Sequence, residues 1–300
     1  MKKIIFLMVI SLIFIFFGYF FRIITVENQK TFLKEGINQD ISDKNIYPAY
    51  SLPGSFFDGS FTGLPENVIP EGTGILGMTV NHHLLGTRLI SRFFKNISYL
   101  NPETIVLLSP NHFNAGHAPV ISSEYHWDTP YGILENDAEF TEELVRLDLV
   151  YIDESPFPVE HGISGLTAYI KYIFPESRIV PIIFRNDIKE EKIELLADHL
   201  AKFDHNNVLV IASLDFSHDS TSEVADIRDE ISIEIMKSIN LQRTDEVEVD
   251  SRPALRVLMH YASRKNAAGF KLLDNTNSAK LINDFSITDA TSYINGYFYK

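Results

Sequence analysis

Three apolar segments of the sequence, each short enough for one β-strand, are followed closely by histidine. The segments and their histidines are Gly74–Val80 with His82 and His83, Thr104–Pro110 with His112, and Val208–Ser213 with His218. Apolar runs of this length, bounded by glycine or polar residues, indicate buried strands of a parallel sheet. Because the carboxyl ends of parallel strands meet at one edge of a sheet, the pattern predicts a functional site that contains these histidines.

Helical patterns alternate with apolar segments along the rest of the chain. The segments predicted as helices are Leu84–Lys95, Asp137–Leu147, Gly162–Phe174, Lys189–Phe203, Ser222–Ile239 and Pro253–Arg264. Further strands are predicted at Arg178–Phe184 and Ser292–Tyr299, and a long irregular region at Asn111–Asn136. This order predicts an α/β fold, a three-layer sandwich in which helices cover a central mixed or mostly parallel sheet.

The N-terminal segment Ile4–Phe21 contains no charged residue. About 20 apolar residues cross a bilayer, so residues 1–26 are predicted to form a transmembrane signal anchor. The alternative is a cleaved signal peptide, whose apolar core usually has about 7–15 residues and is followed by small residues. Phe20–Ile23 stand at that place and are bulky, which favours the uncleaved anchor.

The charges beside this segment predict its orientation. Lys2 and Lys3 favour a cytoplasmic N-terminus, although Lys30 and Lys34 on the other flank oppose it. The chain is therefore predicted to be a single-pass protein of the cell membrane with an extracytoplasmic domain. Residues 27–65 are predicted to be a stalk or linker, and residues 66–300 the α/β domain.

Composition excludes several functions. The net charge of −14 and the lack of a Lys/Arg cluster argue against nucleic-acid binding, which needs a basic face. The chain has no cysteine, which removes disulfides, cysteine zinc sites and cysteine nucleophiles. The sequence also lacks a P-loop, a dinucleotide-binding glycine motif, a serine nucleophile elbow and a zinc-protease motif.

Each candidate site residue also has a structural interpretation. Adjacent residues of a strand point to opposite faces, so only one of His82 and His83 is expected to face the site. Asp215 and His218 form either a ligand pair, an acid–base pair, or a loop in which the aspartate bonds the backbone. The dipeptide Glu160-His161 is typical of a capping acid beside a surface histidine.

For two further groups of residues, a structural role is favoured over a functional one. Asp250 and Ser251 both precede a predicted helix, and either residue suits its N-cap. The other histidines of predicted helices and polar turns are interpreted as ordinary; they are His199, His205 and His260.

The order of several short motifs resembles the Memo family, called AmmeMemoRadiSam system protein B in bacteria. The motifs are the strand before His82, Ser109–His112, Trp127–Leu134, Glu160–Gly162, Ser213–His218, Asp250–Ala254 and Tyr293–Tyr299. The resemblance covers residues 72–300. It implies a fold similar to the LigB-like class III extradiol dioxygenases, which are non-haem iron enzymes.

The resemblance also implies site residues. The family's metal ligands match His82, His112 and Asp250, while His161, Asp215 and His218 match motifs beside the metal. Two departures stand out: His82 is followed by a second histidine, His83, and Asp250 replaces the family's cysteine. Two histidines and one carboxylate resemble the facial triad of non-haem Fe(II) oxygenases.

These features predict a membrane-anchored Memo-like protein with a divalent metal, Fe(II) in preference to other metals. A metal-dependent oxidoreductase or dioxygenase-like enzyme would act on a small substrate, with His161 or His218 moving protons and Asp215 orienting a histidine. The alternative is a non-catalytic module that binds a peptide or ligand, or sequesters metal, in the same pocket. The sequence alone does not decide whether the chain is an enzyme.

Overall fold

The apolar segments predicted as strands lie side by side in the centre of one large sheet. The structure, a computed structural model, describes residues 45–300 apart from residues 49, 51, 66, 71 and 203–206. Its strands are β1 (Ile46–Pro48), β2 (Ile75–Val80), β3 (Thr104–Pro110), β4 (Val120–Ser122), β5 (His126–Thr129), β6 (Gly132–Leu134), β7 (Tyr151–Ile152), β8 (Arg178–Phe184), β9 (Val208–Ser213), β10 (Phe216–Ser220), β11 (Gly269–Asn277) and β12 (Ala290–Tyr299).

The large sheet is mixed. Its strands follow the order β10-β12-β2-β9-β3-β8-β4-β7, and β11 pairs with β12 outside this path. The four central strands β2, β9, β3 and β8 are parallel, whereas β12 runs antiparallel to β2 and β4 antiparallel to β8. A second sheet has the order β1-β5-β6. The predicted mixed sheet is confirmed, and the carboxyl ends of its central strands lie at one edge.

Helices flank the large sheet. They are α1 (Gly54–Phe61), α2 (Thr87–Asn96), α3 (Ala138–Arg146), α4 (His161–Ile173), α5 (Glu190–Lys202), α6 (Ser222–Lys237), α7 (Arg252–Arg264) and α8 (Ser278–Ile282). Short 3-10 turns occupy Leu84–Gly86, Phe157–Val159 and Leu241–Glu246. The helix predicted from residue 84 thus begins with a separate 3-10 turn.

Strand β3 shows why both faces of the sheet are covered. Its buried side chains alternate between two apolar clusters, as side chains of a strand must. Val106 and Leu108 belong to the cluster that contains residues of α5 and α7. Ile105 and Leu107 belong to the cluster that contains residues of α2 and α4. A continuous apolar strand is therefore buried on both sides, and the predicted α/β class is confirmed.

Several regions differ from the prediction, among them Gly269–Asn277, which forms β11 although no element was predicted there. Residues 111–136, expected to be irregular, contain β4, β5 and β6, and residues 216–220, expected in a loop, form β10. Strands of three to five residues carry too few positions to show a period. Their partners are also distant in sequence: β5 pairs with β1, from Ile46↔His126 to Pro48↔Asp128.

The segment before residue 66 contributes to the compact unit Ile46–Lys300. Phe57 of α1 is fully buried, and its ring lies 5.1 Å from that of Tyr169 in an edge-on contact. The unit thus takes in residues 46–65, which were expected in the stalk. The predicted signal anchor at residues 1–26 lies outside the described residues. Within the described part of the chain, no helix has both the length and the apolarity to span a membrane.

The burial of Phe57 leads to a stability prediction. Phe57→Ala is expected to lower the free energy of unfolding by about 3–5 kcal/mol, because it leaves a cavity between α1 and α4. Phe56→Ala is the matched control, since Phe56 is only half-buried, and a smaller loss is expected. Urea denaturation followed by circular dichroism measures both. Equal, small losses would mean that α1 does not pack as part of the domain.

The buried carboxyl group of Asp229, a residue of α6, leads to a prediction about the pH dependence of stability. Asp229 is fully buried and accepts hydrogen bonds from Ser292 Oγ (2.6 Å) and Asn275 Nδ2 (2.6 Å). Burial raises the pKa of Asp229 from 3.8 to about 6. Between these values the folded protein binds more protons than the unfolded chain, so stability is expected to fall as pH rises from about 4 to about 6.

Asp229→Asn removes this titration while its amide can still bond the same partners. The variant is expected to have a flatter dependence of thermal midpoint on pH across that window, as measured by calorimetry. Glu230→Gln, at the exposed neighbouring position, is expected to keep the slope of the parent protein. An unchanged slope in Asp229→Asn would show that this carboxyl group is not its source.

Candidate metal centre

The register of the sheet brings two candidate side chains together. Val80 at the end of β2 pairs with Ser213 at the end of β9, and His82 and Asp215 each lie two residues further on. The backbone N–H of His82 donates to Asp215 Oδ1 at 3.3 Å. His112 follows the end of β3, the neighbour of β9, so it reaches the same place.

The hydrogen bonds of His82 fix its protonation. Its imidazole is buried, and Nδ1 lies 3.0 Å from Ser213 Oγ. The Ser213 hydroxyl donates its own proton to the carbonyl of Gly162 at 2.6 Å. Its oxygen must therefore accept from His82 Nδ1–H. The lone pair of Nε2 then faces the oxygens Asp215 Oδ2 and Asp250 Oδ2, each 3.4 Å away.

Glu160 fixes His112 in the same way. Its carboxylate accepts from the backbone N–H of His112 (2.9 Å), from the backbone N–H of Gly162 (2.8 Å) and from His112 Nδ1 (2.6 Å). Because both oxygens of Glu160 accept from backbone N–H groups, His112 Nδ1 is assigned as the donor of the 2.6 Å hydrogen bond. The lone pair of His112 Nε2 points inward, 3.9 Å from Asp250 Oδ2.

The two aspartates hold each other at the inner end of the site. The Asp215 N–H donates to Asp250 Oδ2 at 3.0 Å, and the Asp250 N–H donates to the Asp215 carbonyl at 3.0 Å. Ser251 caps α7 by accepting from the Ala254 N–H, so the Asp250 side chain is free of that task. Asp250 Oδ1 is buried and has no hydrogen-bond partner among the residues that the structure describes.

Burial sets the charges of this cluster. It lowers the pKa of His82 well below 6.5, and it lowers that of His161 to about 4. Burial, and then the charge of Asp215, raises the pKa of Asp250 well above 3.8; burial raises that of Asp215 to about 7. Neutral imidazoles and buried carboxyl groups that lack a counter-charge are the ligand set that a divalent cation would complete.

Of the remaining predicted residues, His161 joins the cluster around His82, whereas His218 and His83 do not. The ring of His161 stacks on that of His112, with centroids 3.8 Å apart. Two overlapping groups could hold an ion: His82, His112 and His161, and His82, Asp215 and Asp250. His218 lies on β10, outside both groups. His83 turns away, with Nδ1 2.8 Å from the Tyr293 hydroxyl.

Sequence reasoning missed the residues that orient the histidines. Glu160 was interpreted as a helix cap, which it is, but the same carboxylate also holds His112. Neither the apolar strand that ends at Ser213 nor the motif Ser213–His218 indicates that the Ser213 hydroxyl bonds His82. Gly162, directly after Glu160-His161, is the one residue in the sequence that indicates close packing at this place. A Cβ at Gly162 would lie 2.1 Å from Ser109 Oγ. Only glycine permits so close an approach.

An α/β sheet whose parallel strands end at convergent histidine and carboxylate side chains defines a class of domains with a potential metal site. Within that class, this chain belongs to the Memo-like protein family, whose family model matches residues 57–293. The resemblance inferred from the sequence motifs is confirmed. The model covers most of the described residues, including every candidate ligand named above.

Individual relatives agree with this membership. A MEMO1 family protein of Nitrosopumilus maritimus (strain SCM1) is 26% identical over 238 residues, which cover 74% of this chain and 84% of the relative. Another, from Caldivirga maquilingensis, is 27% identical over 190 residues, covering 60% and 67%. The crystal structure of an uncharacterized protein, JW3007 from Escherichia coli K12, gives a TM-score of 0.48 at 11% identity, covering 74% of this chain and 99% of that one. A likeness this weak defines neither fold nor function.

The bonds of Glu160 lead to a prediction about metal affinity. Glu160→Gln is expected to weaken binding of a divalent metal by about 10–100-fold, since loss of a partner that orients a ligand typically has this effect. Competition with a chelator measures the affinity. Glu154→Gln is the matched control, because Glu154 accepts hydrogen bonds from Tyr47 and Ser123 in another part of the domain. Equal affinities in both variants would contradict the role of Glu160.

Proposed function

We propose that this Memo-like domain holds one divalent metal between His82, His112 and Asp250, and acts on a small oxygen-bearing substrate. One observation carries the proposal. The inward lone pairs of His82 Nε2 and His112 Nε2 lie 3.4 and 3.9 Å from the same oxygen, Asp250 Oδ2. Three acceptor atoms that face one another repel unless a proton or a cation lies between them, and a divalent cation could bind all three at once.

The donor set favours Fe(II). Two imidazole nitrogens and one carboxylate oxygen match the facial triad of non-haem iron oxygenases, and the chain has no thiolate to select a softer metal. Asp215 and His161 stand close enough to extend the set, which leaves room for other divalent metals. When bound, the metal would orient the substrate and polarise its oxygen. Dioxygenase chemistry is proposed from the family resemblance alone.

The chain's own groups would position and move protons around the substrate. His161, whose ring stacks on that of His112, would accept a proton at a ring nitrogen from a substrate hydroxyl. Asp215 holds the backbone of His82 and so keeps that imidazole in place. His218 on β10 is proposed as a second proton carrier at the edge of the site.

We also propose the location that the N-terminal sequence predicts. Residues 1–26 would anchor the protein in the cell membrane as a single-pass signal anchor with a cytoplasmic N-terminus and an extracytoplasmic domain. The support is the uncharged run Ile4–Phe21 after Lys2 and Lys3. The expected partners are a small molecule or a peptide, and the membrane; the net charge of −14 argues against nucleic acid.

A second candidate function is a non-catalytic module that binds a peptide or ligand, or that sequesters metal, in the same pocket. The observation that favours it is Phe113, which directly follows His112 and is 61% exposed. Exposed aromatic rings are enriched at recognition surfaces.

Metal analysis of the full-length protein, purified without air, tests the proposal. Asp250→Ala is expected to lose most of the bound metal, because it removes the oxygen that faces both histidines. Asp187→Ala, at an exposed ion pair with Arg185, is the control and is expected to retain the metal. Unchanged metal content in Asp250→Ala would contradict the ligand assignment.

Oxygen consumption separates the two candidate functions. Stoichiometric iron together with oxygen uptake on catechol-like compounds would support the enzyme. Bound metal without turnover would support sequestration, and metal-free protein with an intact pocket would support a binding module.

A further inference from the structure

A second cluster of metal-binding side chains lies between α5 and α7, away from the strand ends. Glu190 and Glu194 are one helical turn apart on α5, so their side chains share a face. His260 of α7 meets them there. One ligand atom of each residue lies within 4.8 Å of those of the other two.

His260 is the buried member of this cluster. Its side chain is 8% exposed, and Nε2 lies 3.1 Å from Glu190 Oε1. Its Nδ1 is buried and, within the described part of the chain, has no hydrogen-bond partner. A buried polar atom without a partner costs about 1–3 kcal/mol. The hydrogen bond to Glu190 therefore does not satisfy this imidazole.

The charges of the cluster are only partly balanced. Like charges one turn apart on a helix repel, and Glu190 and Glu194 are such a pair. Arg256 Nη2 lies 3.0 Å from Glu190 Oε2 and neutralises that side of the carboxylate. Oε1 still faces His260, and Glu194 is exposed, so an ion could enter from solvent.

We propose that Glu190, Glu194 and His260 form a second divalent-cation site, of the zinc type. One imidazole nitrogen and two carboxylate oxygens are a donor set that Zn²⁺ accepts, with water at the remaining position. The ion would join α5 to α7 and stabilise their contact. This site does not depend on the first: α7 begins after Asp250, and His260 lies eight residues beyond Arg252, about 12 Å along the helix axis.

Titration of the full-length protein with Zn²⁺ alone tests the proposal. The parent protein is expected to bind two equivalents by calorimetry, and its thermal midpoint is expected to rise as zinc is added. Glu194→Gln is expected to bind one equivalent of zinc fewer. Its thermal midpoint is expected to rise less than that of the parent protein as zinc is added. Glu191→Gln, at an exposed neighbouring position of α5, is expected to behave like the parent.

Two further variants separate the sites. His260→Ala is expected to lose the same equivalent as Glu194→Gln. If His260→Ala does not fold because His260 is buried, Glu194→Gln still tests the site, since Glu194 is exposed. Asp250→Ala is expected to keep the equivalent that Glu194→Gln loses. If the first site binds no zinc, the parent will bind one equivalent, and Glu194→Gln will still remove it. Retention of every equivalent and of the full thermal shift in Glu194→Gln would overturn the proposal.

Discussion

The constraint on which the candidate site depends is a buried convergence of hydrogen-bond acceptors. Ser213 and Glu160 each accept a hydrogen bond from the outer N–H of a histidine, so both inner nitrogens present lone pairs. These lone pairs face Asp250 Oδ2, which is already next to Asp215. Such an arrangement is unfavourable unless a proton or a cation lies between the acceptors. The surrounding fold must hold the groups in place against their repulsion.

Helix–sheet packing supplies that restraint. A Cβ at Gly77 of β2 would lie 2.6 Å from Leu258 Cδ1, so the missing side chain lets α7 lie close against the sheet. Asp250 directly precedes this helix, and Ser251 caps its first turn. The close packing of α7 on β2 is therefore one of the contacts that hold this helix, and with it Asp250, against the sheet. The restraint is steric, and the sequence shows it only as one glycine in an apolar strand.

Sequence reasoning predicted what depends on neighbouring residues. The central strands and the long helices have enough residues to show a period, and their limits were predicted to within a few residues. The rule that parallel strands end at one edge predicts that His82, His112 and His218 meet. His82 and His112 do so, together with Asp215, whereas His218 lies on β10 outside both ligand groups. Contacts between distant segments were missed: Glu160 with His112, Ser213 with His82, and β1 with β5. His260 was interpreted as an ordinary helical residue, because only the packing of α7 on α5 reveals its neighbours.

The two clusters differ in how their charges are balanced, and this difference should determine their affinities for metal. In the first, hydrogen bonds fix the outer nitrogens, and no Lys or Arg among the described residues forms an ion pair with Asp250 or Asp215. In the second, Arg256 already provides a positive charge 3.0 Å from Glu190, and Glu194 is exposed to solvent. A metal there must compete with the guanidinium group, and solvent screens the remaining attraction. The buried cluster is therefore expected to bind a divalent metal more tightly than the cluster on α5 and α7.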